Sequence, residues 1–244
     1  MSAPILAAKG VSKVLGSGAG QVHAVKDVDL SLRGGELTLL MGPSGSGKTT
    51  LLSILGCMLQ PTSGTLEICG QPATGADAER LAQLRRDHVG FIFQNYHLFP
   101  TLTAAENVQL ALDVRGRRGG KARVKACEAL ASVGLAHKIA SYPNELSGGE
   151  QQRVAIARAI VSDPSAILAD EPTAALDGAN GQAILGILAA IARDPNRSVL
   201  VVTHDSRLVP FADRIVSIED GRLVGEQRGG APAPKRLAAA ASGP

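Results

Sequence analysis

The chain has 244 residues, of which 45% are hydrophobic and 2% aromatic, with no tryptophan and a formal net charge of +3. Its length suits one large domain or two small ones, and so small a charge does not indicate a nucleic-acid partner. Scarce aromatic rings argue against single-strand nucleic-acid binding, which stacks bases on such rings. The sequence contains no run of about 18 apolar residues, so no membrane-spanning helix is predicted.

The first part of the chain is predicted to alternate strands with glycine-rich turns. Apolar and β-branched runs bounded by turn residues predict strands at 5–13, 23–32, 37–41, 65–68 and 89–93. The third of these is short and continuously apolar, which is typical of a buried parallel strand. A helix is predicted over residues 48–59, before Pro61.

The pattern turns helical from Thr103 to about Val161 and then returns to strands. Within the helical part, the basic loop 115–121 is interpreted as a solvated connection between helices, with an anionic lipid or an acidic partner as the alternative. Further along, we predict strands at 166–169 and 198–202, a helix at 178–192 between them, and a hairpin of 214–219 and 222–226 around Asp220-Gly221. This predicts one α/β domain over 1–228, with a helical insert at about 100–161 and a disordered Ala/Pro/Gly-rich tail at 229–244.

A phosphate-binding loop lies between the predicted strand 37–41 and the helix that follows it. The residues Gly42, Pro43, Ser44, Gly45, Ser46, Gly47, Lys48 and Thr49 match G-x-x-x-x-G-K-[ST]. The glycines let successive backbone N–H groups face phosphate oxygens, and the helix N-terminus adds its positive dipole end. Lys48 is expected to reach the β- and γ-phosphates of ATP and Thr49 to bind Mg²⁺, with Thr50 completing the ATP-binding segment.

Four polar residues follow predicted strands. Asp170 and Glu171 come directly after the strand 166–169, while Gln94 and His204 stand at the ends of two others. Because ligands bind at the carboxyl ends of strands in an open parallel sheet, we expect all four beside the phosphate-binding loop. Asp170 suits Mg²⁺ binding, directly or through water, and Glu171 is placed to polarise the attacking water.

A second glycine-rich turn, with the sequence Leu-Ser-Gly-Gly-Glu-Gln-Gln at 146–152, lies downstream. With this turn and the motifs above, residues 5–227 resemble the ATP-binding subunit of an ATP-binding cassette (ABC) transporter. The resemblance implies a P-loop NTPase with a RecA-like parallel-sheet core, an N-terminal antiparallel β-subdomain and an inserted α-helical subdomain.

The same resemblance implies how two copies share ATP. Two ATP molecules lie at the interface of a homodimer, and the signature turn of one copy faces the γ-phosphate held by the other. The residues assigned to that contact are Ser147, Gly148, Gly149 and Glu150. Asp177 belongs to the loop that links the two sites. Glu171 is the catalytic base, His204 holds the γ-phosphate and the water in line, and Gln94 is a catalytic residue that also contacts Mg²⁺.

Within the family, segments 89–94, 102–108 and 168–173 are similar to the macrolide-exporter and lipoprotein-release (MacB/LolD-type) branch. That likeness implies a transmembrane permease partner, with a periplasmic adaptor considered as a third component. The protein is then expected in the cytoplasm, on the inner face of the membrane through the permease. The alternatives are an importer subunit, a soluble ABC-type ATPase acting on ribosomes or DNA, and a nucleotide-binding module without turnover.

Further expectations concern the N-terminus and the cysteines. Residues 1–4 are not expected to begin a signal peptide, and the widely separated Cys57, Cys69 and Cys127 are expected to be reduced thiols.

The family stacks adenine on an aromatic residue, whereas Leu15 stands at or near that position here. Weaker adenine selectivity is therefore expected, with Leu15 giving only an apolar contact. Ala174 lacks the hydroxyl that some relatives carry.

Overall fold

A computed structural model describes residues 3–229, in which the chain forms two sheets with six α-helices. The strands are β1 (Leu6–Leu15), β2 (Val22–Leu32), β3 (Glu36–Met41), β4 (Ser63–Ile68), β5 (Gln71–Pro72), β6 (Val89–Ile92), β7 (Ala166–Asp170), β8 (Ser198–Thr203), β9 (Arg214–Glu219) and β10 (Arg222–Arg228). The helices are α1 (Lys48–Leu55), α2 (Ala78–His88), α3 (Ala104–Asp113), α4 (Gly120–Ser132), α5 (Gly148–Ile160) and α6 (Gly178–Ala192). Short 3-10 turns lie at Gly18–Gly20, Pro143–Glu145 and Ser206–Phe211.

A six-stranded sheet forms the centre of the fold, in the order β10-β9-β3-β8-β7-β6. Strands β3, β6, β7, β8 and β9 run parallel, and β10 adds an antiparallel edge through the predicted hairpin. Every residue of β8 is buried, which explains why its middle, Val199 to Val202, is continuously apolar. The parallel core is confirmed, and the carboxyl ends of its strands meet at one edge.

The second sheet is antiparallel and has the order β2-β1-β4-β5, which confirms the predicted N-terminal β-subdomain. It packs with α1 on one face of the central sheet, where Leu40 and Leu200 point. Their neighbours Leu39 and Val201 point to the opposite face and join the core formed with α3, α4, α5 and α6. Because neighbouring residues of a strand face opposite sides, both faces of the central sheet are covered.

The insert holds three helices, α3, α4 and α5, that contact one another. Thr103 begins α3 with a capping box completed by Glu106, and Ser147 begins α5 with one completed by Glu150. The basic loop connects α3 to α4, as predicted, although Arg115 is half-buried and donates to the Ala111 carbonyl at 2.8 Å.

One helix prediction needs correction, and one helix was missed. The helix predicted at 48–59 ends at Leu55, because Gly56 packs against the ring of Phe91 and Cys57 takes a left-handed φ of 55°. In addition, α2 was not predicted. It is strongly polar, with only Leu81 and Leu84 buried, and so it shows little apolar periodicity.

The C-terminal end of the described chain differs slightly from the prediction. β10 extends two residues beyond the predicted end, and Gly229 donates its N–H to the Asp213 carbonyl at 2.9 Å. The disorder predicted for the tail otherwise concerns residues 230–244, which lie outside the described residues. Between residues 3 and 229, no helix has both the length and the apolar character to cross a bilayer.

Candidate active site

The phosphate-binding loop connects β3 to α1 and depends on two left-handed glycines. Gly45 has a φ of 79° and Gly47 a φ of 97°, and a Cβ atom on Gly47 would lie 2.1 Å from the Ala24 carbonyl oxygen. A side chain at 47 is therefore excluded by both backbone conformation and space. The Lys48 ammonium is held over the loop by the carbonyls of Gly42 and Pro43, each at 2.7 Å.

The loop fits a nucleoside triphosphate. Gly47 gives α1 no side-chain cap, so the N–H groups of its first turn are free to bind phosphate oxygens. Within the described chain, Ser46 Oγ is buried without a hydrogen-bond partner. The loop opens into a cleft of about 950 Å³, large enough for a nucleotide.

Carboxylate and imidazole groups stand at the ends of β7 and β8. Glu171 takes a left-handed φ of 46°, and its Oε1 lies 2.8 Å from Nδ1 of His204. The Glu171 side chain is 15% exposed, whereas that of His204 is 70% exposed. The carboxylate is thus sheltered and fixed by backbone geometry, while the imidazole is open to a ligand.

Asp170 lies beneath the loop, where Thr49 Oγ1 donates to its Oδ1 at 3.4 Å. Burial raises the pKa of Asp170 and the neighbouring Glu171 adds to the rise, while the Thr49 hydrogen bond and the Lys48 charge oppose it. A nearby cation favours the charged form of a buried carboxylate, so Asp170 is suited to bind one.

Gln94, Glu171 and His204 all line the cleft together with Lys48 and Thr49. The structure therefore brings together the predicted strand-end residues, with Asp170 joined through Thr49. No group of three His, Cys, Asp or Glu side chains suited to hold a metal occurs between residues 3 and 229. A Mg²⁺ ion would take its oxygens from Thr49, Asp170, Gln94 and the phosphates of ATP, as this ion commonly does.

The signature turn and Asp177 lie outside this cleft among the residues described. In a single chain both make helix caps. Ser147 Oγ accepts from the Glu150 N–H at 3.2 Å, and Asp177 Oδ1 accepts from the Asn180 N–H at 2.9 Å. Gly148 and Gly149 form the first turn of α5, so its positive end carries no side-chain bulk.

The far wall of the cleft was not predicted. It consists of Gln21, Val22, His23, Ala24 and Lys26, from the start of β2, and of Asp220 and Gly221 in the hairpin turn. The Gly221 N–H donates to the Ser46 carbonyl at 3.0 Å, which fixes that turn against the loop. Leu15 does not line the cleft, whereas Val22, its partner in the β1–β2 register, does. The Asp-Gly pair predicted the hairpin, but no local signal placed it beside the loop.

Comparison with known proteins identifies the family. A family model described as ABC transporter matches residues 25–174. The macrolide export ATP-binding/permease protein MacB of Rhodopseudomonas palustris is 44% identical over 227 residues, which cover 93% of this chain and 35% of that protein. MacB of Salmonella typhimurium is 46% identical over 214 residues, which cover 88% of this chain and 33% of that protein. The chain thus spans about a third of the length of these relatives.

Solved structures extend the comparison to the whole fold. The ATP-binding cassette MJ0796, described as a dimer in a post-hydrolysis state with ADP and Pi, has a TM-score of 0.84 and 40% identity, covering 91% of this chain and 98% of that one. The cbiO1 protein of Clostridium perfringens, described as part of the ABC transporter complex cbiONQ, has a TM-score of 0.81 and 26% identity, covering 92% of this chain and 88% of that one. Motifs, fold and relatives agree, and the chain belongs to the ABC transporter family as one of its ATP-binding cassettes.

Proposed function

We propose that this chain is an ATPase that dimerises around two ATP molecules and powers a membrane permease. One observation carries the proposal. The groups suited to hydrolysis line one cleft, while the glycine turn that begins α5 lies outside it, on the same chain. A second copy placed head to tail would bring that turn to the γ-phosphate. The relative MJ0796 is described as a dimer bound to ADP and Pi, which supports this arrangement.

Within one cleft, the chain's own residues divide the work. Lys48 and the N–H groups at the start of α1 bind and orient the phosphates. Glu171 takes a proton from the attacking water, and His204, 2.8 Å from Glu171 Oε1, keeps the carboxylate and the γ-phosphate in line. Thr49, Asp170 and Gln94 would hold a bound Mg²⁺, which would supply positive charge to the phosphate oxygens.

Closure and opening follow from the charge of the nucleotide. The γ-phosphate of ATP can be bound by both copies, so ATP favours the closed dimer. Hydrolysis removes that shared anion, and the two copies then separate. A permease attached to both would move with them.

The permease partner is proposed from the relatives. The MacB proteins are named for an ATP-binding part and a permease, and this chain matches about a third of their length. We place the chain on the inner face of the cell membrane, bound to a permease of the exporter or lipoprotein-release type, with a periplasmic adaptor as a further component.

Trapping the dimer tests the core of the proposal. The Glu171→Gln variant should hydrolyse ATP slowly and form a dimer when ATP is added, as measured by light scattering after gel filtration. Lys48→Ala should remain a monomer under the same conditions, because it lacks the phosphate contact. If Glu171→Gln stays monomeric at saturating ATP, the shared site is wrong.

A further inference from the structure

The segment that follows Gln94 has an unusual backbone. Tyr96 and His97 take left-handed φ values of 57° and 48° in succession. Residues other than glycine rarely adopt this region, because it strains their backbone. Two in a row require an interaction that holds them.

Arg158, in the last turns of α5, supplies that interaction. Its Nη1 donates to the His97 carbonyl at 2.5 Å and its Nη2 to the Tyr96 carbonyl at 2.6 Å. Burial lowers the pKa of Arg158, and this guanidinium forms no ion pair within residues 3–229. Two backbone carbonyls therefore take the place of a carboxylate, and the planar fork binds both at once.

Tyr96 also reaches the opposite end of the same helix. Its hydroxyl oxygen lies 2.9 Å from the position that a Cβ atom on Gly148 would occupy. Gly148 and Arg158 are separated by about 15 Å along α5, at 1.5 Å of rise per residue. The loop after Gln94 is thus bonded to α5 at Arg158 and lies close to its first turn at Gly148.

We propose that Arg158 is a positioning residue that fixes the Gln94 loop to α5, so that Gln94 in one cleft and Ser147 facing the other cleft move as one body. The inference rests on the proposed function, because only a dimer gives Ser147 a ligand. Occupancy of a chain's own cleft, sensed at Gln94, would then set the orientation of the signature turn that it offers to its partner.

The Arg158→Lys variant tests this coupling. Lysine keeps the positive charge but cannot bind two carbonyls with a rigid fork. We expect kcat to fall roughly 10- to 100-fold, the loss typical of a charge-assisted hydrogen bond. The Mg²⁺ concentration for half-maximal activity should rise, because Gln94 is displaced. ATP binding by the monomer should stay unchanged, since Lys48 and α1 are untouched.

Rescue distinguishes positioning from general damage. Adding His97→Gly to Arg158→Lys should recover part of the lost kcat, because glycine adopts a left-handed φ without strain. Arg193→Lys is the matched control: Arg193 pairs with Asp213 at 3.4 Å, is 44% exposed, and should keep wild-type kcat. Should Arg158→Lys fail to fold, Arg158→Gln, whose amide can donate to only one of the two carbonyls, takes its place, with a several-fold fall in kcat expected.

The outcomes separate this inference from the proposed function. If the wild type and Arg193→Lys hydrolyse ATP and Arg158→Lys matches them in kcat and Mg²⁺ response, the positioning role is overturned. The same holds if His97→Gly restores nothing, or if Arg158→Gln, used in place of Arg158→Lys, behaves as wild type. If the wild type itself does not hydrolyse ATP, the proposed function fails and the coupling fails with it.

Discussion

Ser147 provides the sharpest test of the shared site, because it has a separable structural role. Its Oγ accepts from the Glu150 N–H at 3.2 Å, while its own N–H donates to Glu150 Oε2 at 2.8 Å. Ser147→Ala removes only the first of these bonds. Loss of an N-cap costs about 0.5–2 kcal/mol, and the long bond places this cap in the lower half of that range. The melting temperature should fall by about 2–4 °C for each kcal/mol lost.

Ser147→Asp keeps the cap but changes the surface that α5 offers to a second copy. Aspartate caps helices as well as serine does, so the melting temperature should stay near that of the wild type. A carboxylate about 4 Å from a phosphate charge would oppose binding by roughly 4 kcal/mol at an effective dielectric of 20. Ser147→Ala lacks the hydroxyl assigned to the γ-phosphate, and Ser147→Asp places a negative charge there. Steady-state ATP turnover should therefore disappear in both variants, whereas only the alanine variant loses stability.

The assay combines three measurements on each variant: thermal unfolding, titration of the monomer with a fluorescent ATP analogue, and steady-state ATP hydrolysis. Thr103→Ala is the matched control, because Thr103 and Glu106 form the same capping box at α3. It should lose similar stability and keep full turnover. Wild-type turnover by Ser147→Asp would refute the reasoning, and so would weakened ATP binding by the monomer, which would assign Ser147 to its own cleft.

Three further predictions concern packing of the core and recognition of the adenine base. Asn107→Ala should lower the free energy of unfolding in urea by about 2–4 kcal/mol, because this fully buried amide bonds the N–H and carbonyl of Phe99 and two more carbonyls; an unchanged midpoint would contradict this. Gly90→Ala should lower the free energy of unfolding by about 1–3 kcal/mol, since its Cβ would lie 2.4 Å from a carbonyl oxygen of α5. Its control, Gly186→Ala, has open space in α6 and should raise the free energy of unfolding by up to about 1 kcal/mol. Equal effects of the two variants on the melting temperature would exclude the clash. The wild type should hydrolyse ATP and GTP with similar KM, and Val22→Tyr, at the cleft position that pairs with Leu15, should tighten ATP binding about 5- to 150-fold through stacking on adenine. Strong ATP preference by the wild type at low micromolar KM would oppose this.

The sequence predicts the central sheet and the loop well because both depend on local chemistry. The apolar run of β8 is required by burial on both faces, and the glycines of the phosphate-binding loop are required by its backbone. The polar helix α2 lacks such a signal. The early end of α1 depends on Gly56 meeting Phe91, a contact between segments distant in sequence. The far wall of the cleft likewise depends on how the antiparallel sheet and the hairpin turn meet the loop.

The strained residues around the site explain why their conformations escape prediction. Tyr96, His97 and Glu171 all have left-handed φ values, although glycine would adopt them without cost. At 171, glycine would remove the carboxylate that lies 2.8 Å from His204 Nδ1. At 96, glycine would remove the ring that reaches Gly148. The side chains are needed where the backbone disfavours them, so local propensity points away from the native conformation. Contacts such as the bonds from Arg158 to the Tyr96 and His97 carbonyls must hold the native conformation, and these contacts exist only once the chain has folded.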